Sequence, residues 1–290
     1  MKSKKHKILV TGSAGFIGSH LYDQLFGADY EVYGIDDLSG GFMENVLQKK
    51  YFTRLDLRNR ARTAGYIENL KPNIIFHLAA DATEGRSQFT PFSAMDRNLV
   101  AYMNLLVPAI KHGLKKIILT SSMSVYGKQQ VPFNENMVPM PEDIYGISKF
   151  SMELKTKVLS EVYKFKYVTI RPHNVYGPRQ NLSDPYRNVV GIFINRLLQG
   201  KNFYIYGDGK QRRAFSYIDD VVPAMVRAGF EQKCENKAIN VGSDEPVTLN
   251  YLGQVVLEEF FGKKNPPTKF KPMHFPERPQ EVKYAYCSHD

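Results

Sequence analysis

Only two cysteines occur in the 290 residues, Cys234 and Cys287, far apart and without metal-ligand companions, so neither a disulfide framework nor a zinc site organises this chain. Both read as ordinary thiols, and no metal is expected. Long apolar runs are missing too. None could span a bilayer, and Met1-Lys-Ser-Lys-Lys-His-Lys7 leads straight into the first apolar run without the hydrophobic stretch of a signal peptide. The expected address is therefore cytoplasmic, with no membrane partner. Acid is short against base, 29 Asp and Glu to 39 Lys and Arg, for a formal charge of +10. Several of these charges fall in Lys2 to Lys7 and the others are scattered rather than gathered into one stripe, so no nucleic-acid partner is expected. Repeats and low-complexity tracts are absent. What is present, 43% hydrophobic residues with 12% aromatics, is enough to fill a globular core.

The most informative segment is Thr11-Gly-Ser-Ala-Gly-Phe-Ile-Gly18, which follows the apolar run Ile8-Leu-Val10 and precedes a helix-like stretch. In a strand-loop-helix unit, Gly12 permits the tight turn, Gly15 lets backbone approach a pyrophosphate, and Gly18 lets helix and strand pack closely. Unpaired N–H groups at the helix start, around Phe16, Ile17 and Gly18, then face the anion. Glu31-Val-Tyr-Gly-Ile35 ends in Asp36-Asp37, about 20 residues on, where a carboxylate can accept the ribose hydroxyls of an adenosine. A carboxylate would repel a 2′-phosphate, so NAD is expected over NADP.

Strand-like runs near 7–11, 31–35, 51–55, 73–77, 115–121 and 166–171 alternate with helical stretches such as 17–26, 58–70, 95–112 and 145–164. This alternation predicts an α/β fold, a doubly wound parallel sheet of Rossmann type. After Arg171 the pattern loosens around Pro172, Pro178 and Pro185, with a helix near 187–199, and Lys237–Val241 reads as a strand returning to the main sheet. The expected division is a dinucleotide domain from 1–171 and 215–242, and a smaller α/β substrate domain from 172–214 and 243–290.

Two further patterns carry chemistry. Tyr145-Gly-Ile-Ser-Lys149 opens a helical stretch, and a four-residue separation puts the phenol and the ammonium on one face. Thr120-Ser-Ser-Met-Ser-Val-Tyr-Gly127 follows the strand Ile117-Ile-Leu119, placing hydroxyls at the carboxyl end of a strand, where open α/β sheets bind ligands.

With these residues in this order, together with Asp56, His77-Leu-Ala-Ala80, Asn98, Arg171 to Pro178, Tyr206 to Arg213 and Glu277-Arg-Pro279, the chain resembles the extended short-chain dehydrogenase/reductases, within them the nucleotide-sugar epimerases and dehydratases, and most of all the UDP-glucose 4-epimerase-like enzymes. The resemblance implies that Tyr145 removes the C4 hydroxyl proton of a UDP-sugar while the C4 hydride passes to NAD, and that the 4-keto sugar turns over and is reduced on its other face. It assigns Lys149 to the nicotinamide ribose, Ser122 to the reacting sugar oxygen, with Ser124 as a second hydroxyl, and Asn98 to the active-site network. Asp56, Leu57, Leu78, Ala79 and Ala80 complete the cofactor contacts. Arg213 and Arg278 are the implied diphosphate clamps, with Asn174 beside them. A phenol with a pKa near 10 needs roughly 4 kcal/mol to ionise at about pH 7. One ammonium at about 5 Å, at an effective dielectric near 20, supplies roughly 3 kcal/mol, and the oxidised nicotinamide adds a second positive charge.

Dehydratases resembling this chain carry an Asp-Glu pair after the Ser122 position, and decarboxylating relatives a glutamate at Ser124; here Met123 and Ser124 stand instead, so 4-epimerisation or simple 4-keto reduction is expected. The small Ala285 falls where the resemblance places a residue beside the sugar's C2 substituent, implying that UDP-N-acetylhexosamines are accepted beside UDP-hexoses. The loop Thr83-Glu-Gly-Arg-Ser87 departs from the commoner valine-containing form. Helices near 95–112 and 145–164 resemble those that pair across a two-fold axis, implying a homodimer. The family's usual further C-terminal helix would lie beyond Asp290. A ketoreductase, a dehydratase and a non-catalytic NAD-binding regulator are the alternative readings.

Overall fold

The computed structural model describes residues 6–28, 30–186, 188–262, 267–277 and 282–288. Strands β1 (Lys7–Thr11), β2 (Glu31–Asp36), β3 (Phe52–Arg54), β4 (Ile74–His77), β5 (Lys116–Thr120) and β6 (Lys166–Pro172) alternate with helices α1 (Phe16–Phe26), α2 (Arg60–Leu70), the short α3 (Glu84–Ser87) and α4 (Pro91–Met95), α5 (Ala101–Lys111) and α6 (Ile144–Tyr163). After them come β7 (Val175–Tyr176), α7 (Val189–Leu198), β8 (Tyr204–Tyr206), β9 (Arg212–Ala214), β10 (Ser216–Tyr217), α8 (Ile218–Phe230), β11 (Lys237–Val241), β12 (Pro246–Thr248), α9 (Leu249–Phe261), β13 (Met273–Phe275) and β14 (Tyr284–Ala285). Among the described residues no helix is long and apolar enough to cross a membrane.

The main sheet has seven parallel strands in the order β11-β6-β5-β4-β1-β2-β3. Its strands read as continuous apolar runs because both faces are covered. The two-residue pleat sorts them: Ile8, Val10, Ile74, Phe76 and Ile118 point to one face, where α1 and α8 contribute Leu21, Leu25, Val221 and Met225. Leu9, Ile75, Ile117 and Leu119 point to the other, against Ile67 of α2, Tyr102 and Leu105 of α5 and Met152 of α6. The chain runs outward from β1 to β3 and then resumes at β4 on the opposite side of β1. The crevice at that reversal, at the carboxyl ends of β1 and β4, is where such sheets receive a ligand.

The remaining elements build a second, smaller core of Phe193, Leu197, Phe203, Ile205, Leu249, Val256 and Leu257. Its strands join distant parts of the chain: β8 pairs with β13, β9 lies between β12 and β14, and β7 pairs with β10. One expectation changes. The stretch at 95–112 is not one regular helix, because a π-helical turn, Asp96–Val100, separates α4 from α5. It carries Asn98, whose side chain is fully buried.

Candidate active site

A single cleft of about 840 Å³ runs along the carboxyl ends of the central strands and on between the two cores. Gly12, Gly15, Phe16, Ile17, Gly18, Asp36, Asp37, Asp56, Leu57, Leu78, Ala79, Ala80, Ser122, Tyr145, Lys149, Asn174 and Arg213 all line it.

At one end β1 runs into a turn with Gly12 at φ +72°, closed by Gly15 N–H donating to the Gly12 carbonyl at 3.0 Å, while Gly12 N–H donates across to the Ile35 carbonyl of β2 at 2.8 Å. A Cβ on Gly18 would lie 2.0 Å from the Gly12 carbonyl oxygen, so only glycine lets α1 start this close to the strand. No side chain caps α1. Its first amides are thus available to an anion, and the loop forms a cradle that a side chain would fill. Asp36 accepts from Leu38 N at 2.8 Å and Ala14 N at 3.1 Å. Burial pushes its pKa up while those amides hold it down, and the remaining lone pairs can take hydroxyl donors. Asp37 binds Ser39 N and Oγ at 2.9 and 2.6 Å. The Arg58 guanidinium, 2.7 Å away, holds the Asp56 carboxyl below its usual range. This donor set fits a dinucleotide: amides for the pyrophosphate, a carboxylate for ribose hydroxyls and apolar walls for the rings.

At the centre, Asp143 caps α6 by accepting from Gly146 N at 2.8 Å. A Cβ on Gly146 would meet the Ser124 carbonyl at 2.9 Å, so this glycine lets the helix press against the turn that follows β5 and brings Tyr145 beside Ser122. Ser122 Oγ accepts from Ser124 N at 3.1 Å and retains its own proton. Lys149 is 2% exposed, donates to the Thr120 carbonyl at 2.7 Å and places Nζ 5.7 Å from the Tyr145 ring centroid. Burial lowers its pKa to about 8, opposed by the Glu153 carboxylate.

His77 lies beneath. Thr11 Oγ1 accepts from Leu78 N and Ala79 N, both at 3.2 Å, and shares a buried hydrogen bond with His77 Nδ1 at 2.8 Å. Burial, and then the Lys149 charge, push the His77 pKa down to about 3. It is a neutral packing group.

The sequence reading missed a buried network under the cleft floor. Ser121 Oγ donates to Glu153 Oε1 at 2.5 Å, and Arg171 donates to both oxygens of Glu153 at 3.1 and 2.7 Å and to Tyr126 Oη at 2.8 Å. The Tyr126 hydroxyl continues to Asn240 at 2.9 Å. The available signal was spacing: Tyr145, Lys149 and Glu153 recur every fourth residue on one face of α6. Asn98, likewise, does not line the cleft. Its amide accepts from Asp81 N at 2.9 Å and donates to Asp81 O at 3.3 Å, fixing the loop behind Ala80.

On the far side Asn174, at φ +34°, donates to the Ala214 carbonyl at 2.8 Å. Arg213 donates to the carbonyls of Arg212 and Lys283 at 3.0 and 3.2 Å, and to that of Val282. Arg278 lies outside the described residues. Two expected contacts are displaced. Ala285 pairs in register with Arg213 yet is buried among Val125, Tyr126 and Phe133 and does not line the cleft. Ser124 Oγ is buried without a hydrogen-bond partner and does not reach the cleft, because the 3₁₀ turn Met123–Tyr126 turns it inward. Residues unforeseen in the sequence also line the cleft, among them Arg196, Tyr204, Gln211 and Phe215.

Residues 8–242 match the NAD dependent epimerase/dehydratase family, which is most of the chain. The chain belongs to this family. This family member is 39% identical over 232 residues to a UDP-glucose 4-epimerase of Mycolicibacterium smegmatis, covering 77% of this chain and 73% of that one. It is 31% identical over 274 residues to a UDP-glucuronate 4-epimerase of Thermodesulfobacterium geofontis, covering 88% and 81%. Among solved structures, the UDP-glucose 4-epimerase of Thermotoga maritima with UDP-glucose superposes with a TM-score of 0.90 at 34% identity, covering 98% of this chain and 90% of that one. Proteins named for neutral and for acidic sugars are thus both close relatives of this epimerase/dehydratase chain.

Proposed function

We propose that this protein is an NAD-dependent nucleotide-sugar 4-epimerase that interconverts UDP-hexoses through a transient 4-keto sugar. The observation that carries this reading is the meeting of Tyr145, Lys149 and Ser122 in the cleft that also holds the glycine loop and Arg213. The glycine loop from Gly12 to Gly18 and the Asp36 carboxylate would hold NAD, which would supply the acceptor and the donor of the C4 hydride. Tyr145 accepts the C4 hydroxyl proton and later gives it back. The Lys149 ammonium, 5.7 Å from the ring centroid, favours the phenolate over the phenol. Ser122 Oγ, with one lone pair taken by Ser124 N, orients its proton toward the sugar oxygen. Arg213, braced on main-chain carbonyls, and Asn174 hold the diphosphate about which the sugar turns. The glycine loop and the sheet it closes form the dinucleotide domain, and the smaller core forms the sugar-nucleotide domain.

We also propose a homodimer. One face of α6 carries Tyr145 and Lys149 inward, while Leu154, Val158 and Val162 on the other face are about half exposed, as is Val107 of α5. Paired α5 and α6 helices would cover this apolar strip. Molecular mass by light scattering is expected to equal two chains, and a monomer at all concentrations would refute the pairing.

The activity test is incubation with UDP-glucose and UDP-galactose without added NAD, following C4 configuration by NMR. Conversion is expected, and Tyr145→Phe should lower kcat by about 10²–10⁴-fold while the purified protein keeps its NAD. Undiminished turnover in that variant would overturn the assignment.

A further inference from the structure

After β7 the chain does not go straight to α7 but first runs across the cleft as a strap, Gly177 to Tyr186. Its root is fixed, because a Cβ on Gly177 would lie 2.5 Å from Ile218 Cγ2 of α8. The next two residues fasten to α1. The Pro178 carbonyl accepts from His20 Nε2 at 3.1 Å, and Arg179 Nη1 donates to Asp23 Oδ2 at 2.6 Å. His20 and Asp23 lie about one and two turns beyond Phe16, where α1 starts. Gln180, Asn181, Asp184 and Pro185 then line the cleft, and Tyr186 reaches its other side, where the Arg86 guanidinium of α3 stands 5.9 Å from the ring centroid. The strap thus touches the helix that follows β1 and the helix that follows β4, the two elements on either side of the crevice where the strand order reverses.

Two observations single out the Arg179 end. Arg179 sits at φ +63°, in the left-handed region that side chains disfavour, a conformation that persists only where the surroundings impose it. Arg179 and Asp23 have side chains 26% and 22% exposed, so salt screens them less than it screens a surface pair. The second oxygen of Asp23 is buried and has no hydrogen-bond partner among the described residues. A carboxylate taken this far out of water and held by one cation is costly to leave unpaired, so lifting the strap carries the cost of stranding it.

Resting on the 4-epimerase reading above, we propose that Asp23 and Arg179 are positioning residues, a latch that holds the strap across the crevice and keeps NAD resident from one catalytic cycle to the next. An epimerase regenerates its oxidised cofactor in every cycle, so the cofactor has no need to leave. Its loss between the two hydride transfers would strand a 4-keto sugar. The glycine loop and Asp36 grip from the side of the main sheet, and the latched strap adds a wall from the sugar-nucleotide side without touching the reacting atoms.

The test measures NAD release. Wild type, Asp23→Asn, Arg179→Gln, Arg179→Lys and the double variant Asp23→Asn/Arg179→Gln are loaded with NAD, freed of excess, and mixed with alcohol dehydrogenase and ethanol, which convert each released NAD to NADH for optical detection. Asp23→Asn and Arg179→Gln are each expected to release NAD about tenfold faster than the wild type, and the double variant no faster than the faster of the two, because either change alone opens the latch. Arg179→Lys, which keeps the cation, should stay within about threefold of the wild type. Release at the wild-type rate in Asp23→Asn or Arg179→Gln would overturn the proposal, as would effects that multiply in the double variant or a lysine variant as leaky as the glutamine one. C4 inversion by the wild type separates this proposal from the reading it rests on. Inversion with release unaltered in the variants removes the latch alone, whereas faster release from variants of a protein that inverts neither UDP-glucose nor UDP-galactose would refute the 4-epimerase reading and leave the latch standing.

Discussion

On the dinucleotide side the cleft is walled by the ends of β1, β2, β4 and β5, each bonded on both edges within a seven-stranded sheet. On the sugar side it is walled by strands of two or three residues in three separate small sheets. The first wall is closed by contacts that no side chain could share, such as Gly18 against the Gly12 carbonyl. The second is closed by side chains reaching across the chain, such as Arg213 to the carbonyl of Lys283, 70 positions away. A ligand that stays bound through many cycles suits the first kind of wall. A ligand that must enter, turn over and leave suits the second, whose short strands can yield without disturbing the sheet.

The largest expected effect breaks this comparison at its softer side. Phe193 and Phe203 are fully buried and stack at 4.0 Å between centroids in the smaller core. Phe193→Ala should cost about 3–5 kcal/mol, and the loss should stay on that side. UDP-sugar affinity is expected to fall while NAD content stays near stoichiometric; loss of both together would show that the two cores are one cooperative unit.

A smaller effect sharpens the comparison on the side of the main sheet. Glu153 ties the end of β5, through Ser121, and the end of β6, through Arg171, to the helix that carries Tyr145 and Lys149, so it is a positioning residue. Glu153→Gln should lower kcat by about tenfold or more as the phenol drifts from its place. A purely structural role would stop there, but the pH profile adds a second readout. Lys149 keeps its proton below about pH 8, so the rate should fall above that pH as the cation beside the phenolate is lost. Removing the Glu153 carboxylate takes away the anion that holds this proton and leaves the Arg171 charge uncompensated, so the alkaline limb should move to lower pH. A limb that does not move would confine Glu153 to packing.

The same contrast decides what could be read from the sequence. The main sheet is specified locally. Runs such as Ile8-Leu9-Val10 and Ile117-Ile118-Leu119 announce strands, the glycine loop announces the turn, and the spacing of Tyr145 and Lys149 puts both on the face of α6 that the structure buries. The smaller core is specified by pairing between distant segments: Tyr204 meets Met273, and Arg212 meets both Thr248 and Tyr284, and nothing within those short segments names the partner. The pairing of Glu153 with Arg171 escaped notice for a related reason. Each reads alone as a surface charge, and only the fold takes both out of water together. The π-helical turn at Asn98 lies within a stretch whose apolar spacing already reads as helix, so the sequence marks the helix and not the extra residue in one of its turns.

The smallest expected effect concerns the one hydroxyl that the resemblance assigns to catalysis and the structure turns away from the cleft. Ser124 and Ser122 sit two residues apart in the same turn, yet Ser122 Oγ lines the cleft and accepts a backbone hydrogen bond, whereas Ser124 Oγ is buried with no partner. A buried hydroxyl without a partner has lost its water and gained nothing in return, so Ser124→Ala should change stability by no more than about 0.5 kcal/mol, or raise it slightly. Its kcat should stay within about twofold of the wild type, while Ser122→Ala should lower kcat by about tenfold or more. If Ser124→Ala loses as much activity as Ser122→Ala, the turn after β5 must rotate when sugar binds. The main-sheet wall would then be the one that moves, and the contrast between a fixed side and a yielding side would have to be reversed at this point in the cleft.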